Sequence, residues 1–460
     1  MLFSKWRLRL EDKRIWRVFG RSMALSLILS VLMIFLDTSA LPLLEELPDW
    51  MLTDVTTARQ VLSTLAGTLF TATTFVFTAI LTIVTLYTSN FSPRAVEDFL
   101  LNTISMRTLG IFLGGFIYSL TSLVFMDGSV FDDRVFSVVI AWGYAVGSAL
   151  YFTKFVYQVS NYIQADKLVS RMYNETKTQY DETIGYFRKH TRIERLPEIS
   201  TTYQYDMKTN AEAYIGSIQF NDLKDLCEDY QAICKINIKV GDFVSRKEPV
   251  ATIYTNKKVV EVDELEEAFN KTVSFETERS TSFDSGYSRN KLNEIALKAM
   301  SPGINDPNTA IHAVHYKSLL EAKFAALRGR YVVVGKSKEE IEQEADFSRL
   351  TGVLLYDFND FFRHLHVGYR QLVHYMKEDI SAMEAVFDAL VLIAHSAHRD
   401  KIGIVKEYSR YVYESVIDNF PQQLDRELIE KRYNQIISIE VDDRITAEEE
   451  EEARAEEDDQ

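Results

Sequence analysis

The sequence is poor in the residues that build several common kinds of protein. It has two cysteines, Cys227 and Cys234, in 460 residues, which excludes a disulfide scaffold. It has no basic excess, since 51 lysines and arginines face 67 acidic residues, so we expect no nucleic-acid partner. A hydrophobic fraction of 47% excludes a disordered chain. The averages resemble those of an acidic soluble enzyme, but they conceal a strong segregation along the chain.

The motifs of common enzyme classes are missing too. The chain has no phosphate-binding loop, no nucleophile elbow and no glycine pattern for a dinucleotide. Its paired histidines stand in no H-E-x-x-H pattern and near no cysteine cluster; the pairs are His312/His315, His364/His366 and His395/His398. We therefore expect no enzyme, no metal, no cofactor and no catalytic residue.

Charge is sorted along the chain, whose net charge is -16. Residues 1–21 carry seven basic and two acidic side chains, whereas Ala447 to Gln460 carry nine acidic side chains and one arginine. A run so rich in one charge repels itself and has little to bury. We predict a disordered acidic tail at 437–460, which either solvates the protein or docks a basic partner.

Four segments are apolar enough to cross a bilayer, for which about 20 residues suffice. Uncharged runs cover residues 22–36, 60–93, 108–126 and 135–153. We predict an integral membrane α-helical domain at 1–157, with spans at about 20–37, 60–88, 107–126 and 135–155. A cleaved signal peptide is the alternative for the first segment, but no small-x-small cleavage site follows it.

Basic residues orient these spans. The N-terminal segment is basic, whereas the connections after the first and third spans are mainly acidic. Because basic segments stay on the cytoplasmic side, we predict a multi-pass protein of the bacterial inner membrane with both termini in the cytoplasm. Both cysteines then lie in a reducing compartment.

The second span carries a row of hydroxyl groups at heptad spacing, which places them on one helix face. The row consists of Thr64, Thr68, Thr71, Thr78, Thr82, Thr85 and Ser89, with Phe75 as its one interruption. Threonines can bond to their own helix and let helices pack closely. Alternatively, several copies around an axis would line a polar, uncharged pore.

The third and fourth spans each contain a G-x-x-x-G pattern, Gly110–Gly114 and Gly143–Gly147. Small residues four apart let two helices approach closely in lipid. We therefore predict a tight antiparallel hairpin.

A cytoplasmic α/β domain is predicted after the spans, with a connecting helix at 158–200, a small β module at 201–262 and a mainly helical region at 263–436. Apolar residues alternate on both sides of the turn signal Gly241–Asp242. The module resembles half of a biotinyl/lipoyl-type barrel-sandwich. It lacks a lysine at a hairpin tip, so the resemblance implies the scaffold without the cofactor.

A helix–turn–helix corner is predicted around 292–310. Leu292–Met300 is helical in pattern, and Asp306 followed by Pro307 is a typical helix start. One interpretation is a capped corner. The other is a ligand or ion held by Ser301, Asn305, Asp306 and free amides at the helix start.

The same region carries a family resemblance. The stretch NEIALKAMSPGINDPNTA (293–310), the stretch TSNFSPR (88–94) and the pattern around Gly241 and Pro249 resemble signatures of the bacterial predicted membrane proteins known as domain of unknown function 2254. The resemblance covers roughly residues 15–420. It implies an integral membrane protein with a cytoplasmic domain, and no established activity.

These observations favour a homo-oligomeric channel or conductance protein with a cytoplasmic sensing domain. The spans carry no charged site that would suit a proton-coupled transporter. The expected partners are the lipid bilayer, further copies of the chain and a small ion or ligand. The alternative is a membrane-anchored scaffold without transport, and a membrane enzyme using the Asn305–Asp306 corner is the third hypothesis.

Overall fold

The computed structural model describes residues 2–38, 48–90, 103–126, 134–162, 164–279, 284–344 and 346–440. The chain forms two compact units, Met1–Lys167 and Leu168–Gln460. The predicted acidic tail lies outside the described residues from 441 onwards, as do residues 91–94 of the second family signature.

The first unit contains four long helices. They are α1 (Leu2–Thr38), α2 (Val55–Asn90), α3 (Thr103–Phe125) and α4 (Ser137–Tyr162). Each includes a stretch long and apolar enough to cross a membrane; these stretches are Gly20–Thr38, Val55–Leu86, Ile104–Phe125 and Ser137–Asn161. The four predicted spans are therefore confirmed as candidate membrane helices.

Helix α3 is the centre of this unit, because α1, α2 and α4 all pack against it. Two short strands, β1 (Thr53–Asp54) and β2 (Arg134–Val135), pair antiparallel at the starts of α2 and α4. The Arg134 guanidinium donates to Asp49 Oδ1 at 2.6 Å beside them. The starts of α2 and α4 therefore lie together at one end of the unit.

The third and fourth spans pack against each other, but their two glycine patterns have different surroundings. A Cβ at Gly110 would lie 2.8 Å from Ser22 Oγ, and one at Gly114 would lie 2.5 Å from Ser26 Oγ, so these glycines pack α3 against α1. A Cβ at Gly143 or Gly147 would meet no described atom within 4 Å. The glycines of the fourth span thus face away from the unit.

The second unit combines two sheets with helices. Its strands are β3 (Thr191–Ile193), β4 (Tyr203–Lys208), β5 (Ala213–Ile218), β6 (Ala232–Ile236), β7 (Phe243–Val244), β8 (Pro249–Thr255), β9 (Val273–Glu276), β10 (Tyr331–Val334) and β11 (Val353–Asp357). One sheet has the order β3-β10-β11-β6-β8-β4, and the other has the order β7-β5-β9. The pair β6–β11 is parallel and the rest are antiparallel.

This pairing does not confirm a barrel-sandwich module limited to 201–262. Strands β3, β10 and β11, which supply half of the larger sheet, come from outside that range. Apolar residues of these strands pack with β6 in a common core; they are Ile233, Val333, Val353 and Leu355. The confirmed statement is the coarser one, a mixed helical and sheet C-terminal part.

The helices of the second unit are α5 (Ala165–Arg188), α6 (Phe220–Asp229), α7 (Val262–Lys271), α8 (Ser285–Ala299), α9 (Pro307–Ala326), α10 (Lys338–Gln343), α11 (Phe361–Met376), α12 (Ile380–Ser396), α13 (Arg399–Val416) and α14 (Gln423–Ile437). Aspartates begin several of them, because a carboxylate satisfies a free amide of the first turn. The caps are Asp284, Asp306, Asp360 and Asp379. Within the connecting helix predicted at 158–200, the end of α4 is followed by α5, which stops at Arg188, and strand β3 follows.

Candidate functional site

The hydroxyl row lies on the outward face of α2. Its opposite face is buried against the other helices, with Leu62 and Val76 both 0% exposed. All members of the row are exposed in the protomer; they are Thr64, Thr68, Thr71, Thr78, Thr82, Thr85 and Ser89. The row therefore does not pack α2 against its own neighbours.

Each threonine of the row donates its hydroxyl to the carbonyl four residues earlier, at 2.8 to 3.0 Å. Ser89 donates to the carbonyl of Leu86 at 2.9 Å. This bonding satisfies the hydroxyl proton inside an apolar medium. The hydroxyl oxygens keep lone pairs that can still accept a hydrogen bond or contact a cation.

One flank of the row opens into a groove of about 810 Å³ between α2 and α4. Thr64, Thr68 and Thr71 form one wall, and Ala145 and Ser148 of α4 contribute to the other. Ser148 is 3% exposed, and its hydroxyl has no hydrogen-bond partner among the described residues. The groove carries hydroxyls on both sides, although most of its lining is apolar and includes Phe75 and Phe152.

A buried carboxylate lies at the end of the first span. Asp37 is 2% exposed and accepts from the amides of Phe136 at 2.9 Å and Ser137 at 3.3 Å, and from the Ser137 hydroxyl. A carboxylate at a helix start is favourable, so Asp37 ties the end of α1 to the start of α4. No sequence pattern indicates this contact, because Phe136 follows Asp37 by 99 positions.

Each candidate residue of the predicted ligand corner makes a hydrogen bond within the corner itself. Asp306 Oδ1 accepts from the amide of Thr309 at 3.1 Å, and Oδ2 accepts from its hydroxyl at 2.6 Å. Ser301 Oγ donates to the carbonyl of Lys298 at 2.6 Å. Asn305 has φ of 50°, and its amide donates to the Ser301 carbonyl at 2.9 Å. These contacts support the capped-corner interpretation, while ligand binding there stays a prediction.

The histidine pairs do not converge on a metal geometry within the described ranges, where no three histidine, cysteine or acidic residues are grouped to hold an ion. His398 Nδ1 instead contacts Asp400 Oδ1 at 2.6 Å. His364 belongs to a buried ionic cluster that no sequence pattern indicates.

We call this group the buried charge cluster: Arg289 of α8, Lys317 and Glu321 of α9, and His364 of α11. Lys317 Nζ lies 2.7 Å from Glu321 Oε1, and Arg289 Nη1 lies 3.5 Å from the same oxygen. His364 contacts Glu321 Oε2 through Nε2, and Arg289 Nη1 lies 2.8 Å from its Nδ1. The same guanidinium nitrogen also lies 2.6 Å from Nε2, so the His364 ring contacts both the Glu321 carboxylate and the Arg289 guanidinium.

The cluster depends on close packing of α11 against α9. Lys317 Nζ lies 3.5 Å from the centroid of the Tyr369 ring, a cation–π contact. A Cβ at Gly368 would come 2.9 Å from Lys317 Nζ, so glycine leaves room for the ammonium. The Asn293 amide donates to the Gly368 carbonyl at 2.9 Å and fixes α8 to the same turn.

Burial controls the pKa values in the cluster. It lowers the pKa of Lys317 to about 8, although Glu321 opposes the change. Burial and the neighbouring Arg289 charge lower the pKa of His364 to about 4, so this ring is neutral near neutral pH. Burial alone would raise the pKa of Glu321, but its contacts in the cluster hold that pKa well below 4.5. Arg289, Lys317 and Glu321 are therefore charged, with Lys317 closest to titration.

The glycine turn of one sequence signature contacts the start of α8, the helix on which another signature begins. Gly241 has φ of +88°, and a Cβ there would lie 2.0 Å from Asp284 Oδ2. Asp284 caps α8 by accepting from the Tyr287 amide at 2.9 Å, and Arg279 Nε donates to it at 2.7 Å. The glycine turn of the β region thus contacts the start of the helix that carries Arg289 and Asn293.

Comparison with known proteins agrees with this description. A family model described as a predicted membrane protein of unknown function, DUF2254, matches residues 12–391. Uncharacterized proteins of Mycobacterium bovis and of Mycobacterium tuberculosis are 22% identical over 347 residues, which cover 74% of this chain and 64% of each relative. This chain thus spans less than two thirds of the length of these curated relatives. No solved structure matches it. With a family match over most of its length and four candidate membrane helices, the chain belongs to the DUF2254 family of predicted membrane proteins.

Proposed function

We propose that this protein is a homo-oligomeric channel of the bacterial inner membrane, in which the hydroxyl row of α2 lines the path. The C-terminal unit lies in the cytoplasm, where it senses a ligand and gates the path. The observation that carries the proposal is the exposure of all seven hydroxyl residues on the face of α2 opposite its buried side.

The chemistry of the row suits conduction without a charged filter. The threonine hydroxyls donate to their own helix, so the row presents oxygen acceptors to whatever covers it. Polar, uncharged linings allow an ion or water to pass without the strong binding of a charged ring. Phe75, 62% exposed, interrupts the row midway and would form an apolar constriction.

An oligomer is required because one row cannot enclose a path. The four helices of a protomer pack around α3, which leaves the row on the outside. Copies related by a rotation axis would bring their rows together. The open glycines Gly143 and Gly147 offer α4 as a face where helices of neighbouring copies approach closely.

Both termini are proposed to be cytoplasmic, because basic residues are concentrated before the first span. The native cysteines are buried, so introduced cysteines report accessibility cleanly. In intact cells an impermeant maleimide should label Trp50→Cys and spare Ser4→Cys, which should react only after lysis. The reverse pattern would contradict this orientation.

The direct test is conductance of the purified full-length protein in planar bilayers. We expect single-channel currents that fall in Thr71→Val and Thr78→Val, since valine keeps the shape and removes the hydroxyl. Thr73→Val is the matched control, because Thr73 makes the same bond to its helix, at 2.7 Å, but lies off the row.

Two results would overturn the channel proposal. One is an assembled oligomer that carries no current, which would leave the scaffold alternative. The other is a current that is unchanged in both row variants, because the path would then lie elsewhere.

A further inference from the structure

The groove between α2 and α4 has the size of a small-molecule site. Its volume is about 810 Å³, and such sites usually measure about 300–1,000 Å³. The wall that α2 provides runs from Ser63 to Phe75, which is about 18 Å of helix. Small residues leave the room, because a Cβ at Gly67 would meet no described atom within 4 Å. The groove is therefore long enough to hold an elongated ligand.

The lining of the groove selects an uncharged ligand. Both walls belong to stretches apolar enough to cross a membrane, Val55–Leu86 and Ser137–Asn161. Among the described residues, no charged side chain lines the groove. A charged group placed there would lose its water without gaining a partner, which is costly. A neutral, lipid-soluble molecule carries no such cost.

Ser148 supplies one hydrogen-bond donor to this site. The lining residues of α4 are spaced three and four apart, which places them on one helix face; they are Ala145, Ser148, Ala149 and Phe152. Ser148 is 3% exposed, and its hydroxyl has no hydrogen-bond partner among the described residues. Buried polar groups normally have one. An acceptor on a bound ligand would provide it.

The depth of Ser148 restricts the source of that acceptor. It lies eleven positions after the first residue of α4, Ser137, which is about 16 Å along the helix. This is close to the middle of a hydrocarbon core about 30 Å thick. The ester carbonyls of phospholipids lie at the surfaces of that core, so an acyl chain in the groove would bring no acceptor. The acceptor must belong to a molecule whose polar group enters the hydrocarbon.

Three phenylalanines lie together at one end of the groove. The ring of Phe152 lies 6.4 Å from that of Phe75 and 6.4 Å from that of Phe112, and the second pair is edge-to-face. All three rings line the groove. Aromatic side chains pack well against a flat ring. Because Phe152 follows Ser148 by four residues, a ring held there would have its substituents beside the serine hydroxyl.

We propose that this groove binds a neutral, flat, carbonyl-bearing ring that is soluble in lipid, which is the chemistry of a membrane quinone. The ring packs against Phe75, Phe112 and Phe152, and one carbonyl oxygen accepts from the Ser148 hydroxyl. The apolar tail lies along the wall of α2 past Gly67. An apolar lining with one placed polar group is typical of small-molecule sites.

The test measures binding by the full-length protein in detergent micelles, so it does not depend on conduction. The thermal unfolding midpoint is followed at rising mole fractions of decylubiquinone and of dodecylbenzene, which has a ring and a tail but no carbonyl. A ligand that binds the folded state raises the midpoint with its concentration. We expect a rise with decylubiquinone that dodecylbenzene does not reproduce.

Two variants localise the effect. Ser148→Ala should lower the apparent affinity for decylubiquinone by about three- to tenfold, since it removes one hydrogen bond. Gly67→Leu places a side chain in the groove and should abolish the rise. Ser119→Ala is the matched control, because Ser119 is also buried and its hydroxyl is also without a partner in the described residues, but it lies outside the groove lining.

Equal rises with the two compounds would overturn the proposal. So would an affinity for decylubiquinone that is unchanged in both Ser148→Ala and Gly67→Leu. A structure of the assembled protein in which a helix of a neighbouring copy fills the groove would overturn it as well. Absence of current in planar bilayers would contradict only the channel proposal, because the binding measurement requires no transport.

Discussion

At the scale of single residues, the Glu321 carboxylate stabilises the buried positive charges of the second unit. Its carboxylate is the shared counter-ion of Lys317 and Arg289, and none of the three side chains is more than 7% exposed. Removing one member of a buried ionic group leaves its partners uncompensated, which typically costs about 3–5 kcal/mol. We therefore expect Glu321→Gln to lower the free energy of unfolding by about that amount, measured by denaturant titration. Glu340→Gln is the control, because the Glu340 side chain is 52% exposed where it pairs with Lys336, and it should change that free energy by less than about 1 kcal/mol.

His364 makes the unit sensitive to acid. Its pKa is about 4 in the folded protein against an ordinary value of 6.5. Between these values the unfolded chain binds more protons, so stability rises with pH and is lost as pH falls from 6.5 towards 4. We expect His364→Gln to flatten this part of the curve of unfolding free energy against pH. The exposed His374→Gln on the same helix should not flatten it, and identical curves for all three proteins would contradict the assignment.

The cluster was not predictable from the sequence, for a physical reason. Lys317 and Glu321 stand four residues apart, a spacing typical of exposed ion pairs on a helix. Their burial depends on α8 and α11, which contribute Arg289 and His364 from elsewhere in the chain. Asp306 was predictable as a cap because its partner, Thr309, is three residues away.

At the scale of elements, the two glycine patterns share a sequence form and differ in surroundings. Gly114 lies against Ser26 of α1, whereas Gly147 has no described neighbour within 4 Å of an added Cβ. We expect Gly114→Val to push α1 from α3 and cost about 1–3 kcal/mol, the usual range for overpacking. Unfolding in detergent micelles should show this loss, while Gly147→Val should keep the stability of the protomer. Equal losses in both variants would contradict the packing described for α3.

The positions of several helices and strands agree with the local sequence patterns that indicate them. The corner helices, the strand at Ala213–Ile218 and the strand at Tyr331–Val334 were predictable from periodicity and cap residues. The partners of the strands were not, because β6 pairs in parallel with β11, more than 100 residues later. Alternation of apolar residues shows that a strand has a buried face, and it carries no information about which strand lies beside it.

At the scale of the whole molecule, the four spans were predictable from the sequence. Each segment that crosses hydrocarbon must itself be nearly free of charge, whatever the other segments contain. The division into two units follows from the same separation of apolar and polar stretches. The outward direction of the hydroxyl row was not predictable, since heptad spacing defines a face without saying what covers it. The packing and pore hypotheses therefore share one pattern, and the buried side of α2 excludes only packing of the row within its own protomer.

The measurement that tests the central claim most directly is a structure of the assembled protein in a lipid disc by electron cryomicroscopy. The account predicts several copies around one axis, with Thr64, Thr71 and Thr78 of every copy facing a common water-filled path. A monomer, or an oligomer in which these threonines face lipid or lie against a neighbouring helix, would contradict it.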